Sequence, residues 1–99
     1  MKRIVKTPFP QDPLLFDPAH LGAAVRAART EQGLTIETAA LLIGVAKQTL
    51  SDIELGRPTV GIGIVMKVLK EMGITLSIVQ SRNSEPIREH LRSVIEDAQ

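Results

Sequence analysis

Leu34-Thr-Ile-Glu-Thr-Ala-Ala-Leu-Leu-Ile-Gly-Val-Ala-Lys-Gln-Thr-Leu-Ser-Asp-Ile-Glu-Leu-Gly56 is the stretch that decides the fold. Small and apolar residues recur in it at helical spacing, first Ala39, Ala40, Leu42 and Ile43, then Leu50 and Ile53, with Gly44 between the two sets. That pattern predicts two short helices joined by a tight turn, crossing steeply so that the second projects its first turns away from the core. Thr35 caps the first helix, Ala40 lets the two helices approach closely, Gly44 permits the turn, and Val45 plugs the space beneath it. The second helix is expected over Lys47 to Leu55, with Leu50 and Ile53 inward and Lys47, Gln48, Thr49, Ser51 and Asp52 outward.

The unit is a helix-turn-helix, and its projecting helix opens with side chains suited to the major groove of DNA. Lysine donates to guanine O6 and N7, glutamine pairs in two points with adenine N6 and N7, and threonine bonds either base or touches a thymine methyl. Polar residues on an exposed helix are by themselves only a solvated face. The two-helix frame is what makes Lys47, Gln48 and Thr49 candidate base readers.

Reading outward, Asp17-Pro18 is an N-cap acceptor followed by proline at the first helical position, and it starts a helix carrying Leu21, Ala24, Val25 and Ala28. Gly33 ends that helix. Beyond Gly56, Arg57-Pro58-Thr59-Val60-Gly61 reads as a loop, and Ile62, Val65, Met66, Leu69 and Met72 trace the apolar stripe of a fourth helix closed by Gly73. Then the period changes. Ile74, Leu76 and Ile78 alternate with Thr75, Ser77 and Val79 in a run bounded by Ser81-Arg82-Asn83, which predicts one strand. A lone strand must find an edge, because its N–H and C=O groups otherwise go unpaired. Its own copy in a dimer is the simplest partner, and Lys2 to Lys6 is the competing one within the chain. Ser84 caps a last helix whose stripe is Ile87, Leu91, Val94 and Ile95, opposite Arg88, Glu89, Arg92, Glu96 and Asp97. So short an amphipathic helix is marginal alone in water, so the stripe docks on its own domain or on another protein.

Ahead of the helices, residues 1–16 form a proline-rich arm, in which Ile4 and Val5 suit a short strand and Leu14, Leu15 and Phe16 form a cluster expected to pack back on the domain. The expected architecture is therefore mostly α: four to five short helices, one strand and an amphipathic C-terminal helix. Its parts are the arm, a helix-turn-helix domain over 17–73, a dimerisation strand over 74–80 and the last helix over 84–99.

Ninety-nine residues, 43% of them apolar, make one small domain, and so short a chain gains from a partner. There is no cysteine, and His20 and His90 lie far apart, so neither disulfides nor a protein-built metal site is expected, and no cofactor is implied. Without Cys or Tyr, and with Gly61-Ile-Gly63 lacking the third glycine and the preceding strand of a phosphate loop, nothing assembles catalytic machinery, and an enzyme is not expected. Both histidines read as surface residues. No apolar run is long enough to span a membrane and the start lacks a secretory pattern, which predicts a cytoplasmic protein. The net charge is only +1, with the excess of positives in the arm and residues 17–73 balanced, so a nucleic-acid binder of this composition must gather its cations on one face.

The sequence resembles the lambda-repressor-like, Xre-type helix-turn-helix domains. The likeness runs from Leu21-Gly22 through Arg26, Arg29, Gly33-Leu34-Thr35, Ala40, Gly44-Val45, Leu50-Ser51, Ile53-Glu54 and Gly56 to Leu69, roughly half the chain. It implies base reading by Lys47, Gln48 and Thr49, with Ser51 and Asp52 at the groove margin, phosphate contacts at Thr35 and Arg57, and a structural ion pair between Arg29 and Glu54. Two positions depart from the pattern: Ile36 stands where glutamine is common, and Ala46 where a serine or threonine caps the third helix.

The short domain followed by Gly73-Ile-Thr-Leu-Ser-Ile-Val79 looks like the persistence-type (Hip-type) antitoxins. That likeness implies a strand pairing across a homodimer through Ile74, Leu76 and Ile78, an inverted-repeat operator in double-stranded DNA, repression of the protein's own promoter, and a kinase-type toxin docked on the arm or the last helix. The alternatives are a free-standing Xre-type regulator and a dimeric interaction module that binds a protein partner without specific DNA binding.

Overall fold

The computed structural model describes residues 3–14 and 17–98. Leu15 and Phe16, expected to pack on the domain, and Lys2 of the arm lie outside the described residues.

Five α-helices follow one another: α1 (Pro18–Glu31), α2 (Ile36–Ile43), α3 (Lys47–Glu54), α4 (Ile62–Glu71) and α5 (Ser84–Ala98), with a 3₁₀ turn at Ser81–Asn83 ahead of α5. Local chemistry sets the boundaries. The Asp17 side chain accepts the His20 N–H at 2.8 Å, and Pro18 occupies the first turn of α1, where its missing N–H costs nothing. Thr35 Oγ1 accepts the Thr38 N–H at 3.2 Å at the start of α2. Gly44, at φ 88°, ends α2 in the left-handed region, and the N–H of Val45 turns back to the Ala40 carbonyl at 3.0 Å. A side chain there would be strained, which is why glycine makes this turn.

The core is built by α1 to α4: Val25, Ala39, Ala40, Ile43, Leu50, Ile53, Val68, Leu69 and Met72 pack as one cluster, with Leu21, Leu34, Val45, Val65 and Ile74 against it. Leu50 is fully buried at its centre, a contribution of about 2 kcal/mol for its side chain alone. Helix α1 crosses α3 at Gly22, where a Cβ would sit 2.3 Å from the Ile53 carbonyl oxygen and 2.7 Å from that of Glu54. The missing side chain at Gly22 thus sets how closely α3 is held.

Three expectations about inward faces are corrected. Leu42 is 67% exposed, because the α2 face that meets α3 is Ala39, Ala40 and Ile43. Ile62 and Met66 are also exposed, and Val68, absent from the expected stripe, is buried instead. On α1 a second face is covered: Ala27 and Thr30 are buried, and Thr30 Oγ1 accepts the Thr7 N–H of the arm at 2.9 Å.

The expected strand is also corrected. No strand is present among the described residues, and residues 74–80 carry no regular secondary structure. The competing intrachain mate is engaged elsewhere, since the arm lies along α1, with Lys6 beside Glu31 at 3.7 Å and Thr7 on Thr30. A run of alternating β-branched residues reports a local preference, but a strand exists only where an edge is offered. Ile74 turns into the core, while Leu76 and Ile78 are exposed.

Helix α5 has none of its residues fully buried. Ser84 is its first helical residue, continuing from the 3₁₀ turn, rather than a cap outside it. A polar contact ties it to the arm: Arg88, paired within the helix with Glu85, donates through Nε to Asp12 Oδ1 at 3.1 Å, and Asp12 Oδ1 also accepts the Leu14 N–H at 3.0 Å. The Leu14 N–H, with the Arg88 guanidinium adding to it, holds the Asp12 carboxyl below its ordinary value, and Asp12 in turn raises Arg88. His20, read as a plain surface residue, is half-buried and bonds the Asp12 carbonyl through Nε2 at 3.0 Å.

No helix among the described residues is long and apolar enough to cross a membrane.

Candidate nucleic-acid interface

Helix α3 presents the expected side chains. Leu50 and Ile53 anchor it in the core, while Lys47 and Gln48 are exposed at its first turn, and Thr49 and Ser51 are half-buried beside them. Ala46 makes no side-chain cap bond, so α3 begins with N–H groups that no side chain at that position satisfies.

At the end of α3, Arg29 and Glu54 form a two-point pair: Nε to Oε2 at 2.6 Å and a terminal nitrogen to Oε1 at 2.9 Å. The second terminal nitrogen donates to the Leu34 carbonyl at 2.7 Å, so one guanidinium joins α1, the end of α3 and the loop into α2. Both side chains are almost fully buried, at 9% and 5% exposure. This pair has no outward reach. Its task is to fix the angle at which α3 is offered.

Two of the candidate base readers, Lys47 and Gln48, are held by carboxylates. Lys47 Nζ lies 2.8 Å from Glu37 Oε1 across the turn. Gln48 Nε2 donates to Asp52 Oδ1 at 2.9 Å, and Arg57 Nε lies 3.2 Å from the same oxygen. Arg57 is bound a second time through its backbone N–H, which donates to the Asp52 carbonyl at 3.0 Å. The structure therefore brings Gln48, Asp52 and Arg57 together, while Lys47 is paired separately with Glu37. Thr35 sits at the start of α2 with its hydroxyl in the capping bond and donating to Thr38 Oγ1 at 3.0 Å. The last-helix stripe is elsewhere: Ile87 and Leu91 are half-buried, and Val94 and Ile95 are exposed.

The sequence placed Asp52 at the groove margin, and missed that it and Glu37 hold two of the candidate readers. The Gln48–Asp52 bond was available from spacing alone, since residues four apart share a helix face. The Lys47–Glu37 pair was not, because it depends on how the turn folds α2 against α3. No group of three His, Asp or Glu side chains placed to hold a metal occurs among the described residues.

A short helix locked in the core by Leu50 and Ile53, with donors at its first turn and a guanidinium in the loop after it, defines a helix-turn-helix DNA-binding domain. The helix-turn-helix family model matches residues 25–79, and the chain belongs to that family. It is 40% identical over 62 residues to the uncharacterized HTH-type transcriptional regulator y4mF of Sinorhizobium fredii (strain NBRC 101917 / NGR234), a match covering 63% of this chain and 82% of that one. The chain is thus a helix-turn-helix transcriptional regulator, and the Xre-type resemblance read from the sequence holds. Among solved structures, it shares its fold with HipB in a HipB-O4 20mer complex, at a TM-score of 0.61 and 20% identity over 69% of this chain and 96% of that chain. The same values hold for a chain of a HipA-HipB-O2-O3 complex.

Proposed function

We propose that the protein is a sequence-specific repressor that binds an inverted-repeat operator as a homodimer, acts on its own promoter, and serves as the antitoxin of a kinase-type toxin–antitoxin module. The observation that carries this reading is the exposure of Lys47 and Gln48 on a helix anchored by Leu50 and Ile53, with Arg57 joined to Gln48 through Asp52. Lys47, Gln48, Thr49 and Ser51 read bases in this account, and Arg57 and Thr35 meet phosphates. A two-fold axis would set the two α3 helices in successive major grooves, about 34 Å apart.

In this reading the copies meet at residues 74–80, where Leu76 and Ile78 offer apolar surface, while Ile74 serves its own core. The antitoxin role is supported by the fold shared with HipB, which assembles with HipA in the HipA-HipB-O2-O3 complex. Helix α5 supplies the docking stripe for a toxin in Ile87, Leu91, Val94 and Ile95, the first two half-buried and the last two exposed. That same outward stripe favours a second reading, an interaction module without specific DNA binding.

Hydroxyl-radical footprinting on duplex DNA from upstream of the coding sequence separates the two. The repressor reading predicts two protected patches related by a dyad and spaced by one helical turn. Uniform cleavage at protein concentrations that saturate the partner would leave the interaction module standing.

A further inference from the structure

We infer that Asp52 is a positioning residue for sequence readout: one of its carboxylate oxygens fixes the Gln48 amide and the Arg57 guanidinium relative to each other, and so sets base choice at the position Gln48 reads. This rests on the DNA-reading function proposed above and adds to it a residue that determines specificity without reaching the base.

The geometry is a shared acceptor. Asp52 Oδ1 accepts a hydrogen bond from Gln48 Nε2 at 2.9 Å and lies 3.2 Å from Arg57 Nε in an ion pair, and the Asp52 carbonyl accepts the Arg57 N–H at 3.0 Å. The Asp52 side chain is 23% exposed against 59% for Arg57, so the carboxylate lies behind the cation it holds. A glutamine amide rotates over a broad, roughly two-fold torsion, and without a restraint it offers its oxygen or its NH₂ to a base indifferently. With one Nε2 hydrogen committed to Asp52, the carbonyl oxygen and the second Nε2 hydrogen are what remain for DNA. One acceptor beside one donor matches adenine, which presents the N6 amino group and N7. It mismatches guanine, which presents two acceptors, O6 and N7. The ion pair on the same oxygen keeps the Arg57 guanidinium beside Gln48, with its terminal nitrogens left to meet a phosphate. The cost is electrostatic, because the Asp52 charge opposes phosphates and offsets that of Arg57.

The test selects from a fully randomised duplex library with the parent, Gln48→Ala, Asp52→Asn and Asp52→Ala, sequences the bound fractions, and follows affinity against salt and thermal melting. Asn keeps an acceptor oxygen and removes the charge, whereas Ala removes both. Asp52→Asn is expected to keep the adenine preference, bind all duplexes more tightly, and steepen the salt slope by about one. Asp52→Ala is expected to lose that preference by about fivefold or more at the same position that Gln48→Ala loses it, with other positions unchanged.

An Asp52→Ala protein that melts like the parent and keeps the parent's preference overturns the inference and leaves the repressor reading intact. A parent with no base preference overturns both. A reading that needs no DNA guards against a variant that fails to fold. In the free parent, the two Gln48 side-chain amide protons should exchange with solvent at different rates, one held and one open, and equal rates overturn the inference.

Discussion

Replacing Glu54 with alanine removes both acceptors of a guanidinium that has almost no access to water. Arg29 is 9% exposed at its side chain and makes three bonds, two to Glu54 and one to the Leu34 carbonyl. After Glu54→Ala the Leu34 bond remains, and the charge loses its counter-ion in a site where water cannot replace it. Breaking a buried pair in this way costs about 3–5 kcal/mol. A domain of this size has a total stability of roughly 5–15 kcal/mol, so the loss takes a large share of it. At about 4–8 °C per kcal/mol, the melting temperature should fall by more than ten degrees, read by circular dichroism at 222 nm and checked by urea titration. Replacing both partners together, Arg29→Met with Glu54→Leu, should recover most of the loss, because no charge is then stranded. A Glu54→Ala protein within about 0.5 kcal/mol of the parent, the range of ordinary surface substitutions, would refute the reasoning.

Other outcomes follow from single contacts. Gly22→Ala puts a methyl group against the Ile53 and Glu54 carbonyls, and the backbone cannot yield there, so it should destabilise by about 1–3 kcal/mol in the same melt. Ala46→Ser supplies the cap that α3 lacks and should stabilise by about 1 kcal/mol, visible as a higher urea midpoint. The acid dependence has a definite sign: because the folded Asp12 carboxyl lies below 3.8, its contribution is complete above that pH and is lost as the pH falls through the lowered folded value. Amide exchange in α5 should therefore accelerate in that window in the parent, and Asp12→Asn should abolish the step.

Much of the fold is legible because its signals are local. Asp17-Pro18, Thr35 and Gly44 each act on neighbouring backbone, so the starts of α1 and α2 and the turn into α3 follow from the letters. The Arg29–Glu54 pair is legible only through family likeness, since nothing within one helix says that residues 25 apart will meet. What failed depended on partners. Residues 74–80 alternate like a strand, yet they find no edge. Leu42 and Ile62 fit a helical stripe, yet the neighbouring helices meet α2 and α4 on other faces. In an eight-residue helix as apolar as α2, periodicity alone does not separate Leu42 from the inward Ala39, Ala40 and Ile43. At the candidate interface, the carboxylates that hold Lys47 and Gln48 depend on tertiary geometry for Glu37 and on an overlooked four-residue spacing for Asp52.

The claim at the centre is that α3 reads bases. Fluorescence anisotropy of the parent and of Gln48→Ala, on duplex DNA from upstream of the coding sequence and on a scrambled duplex of the same length, tests it most directly. The account predicts saturable binding of the parent to the upstream duplex with a Kd of roughly 10 nM or below, weakening steeply with salt and dropping to the scrambled-duplex level for Gln48→Ala. Equal affinity for the two duplexes, or an unchanged preference in the variant, would contradict it.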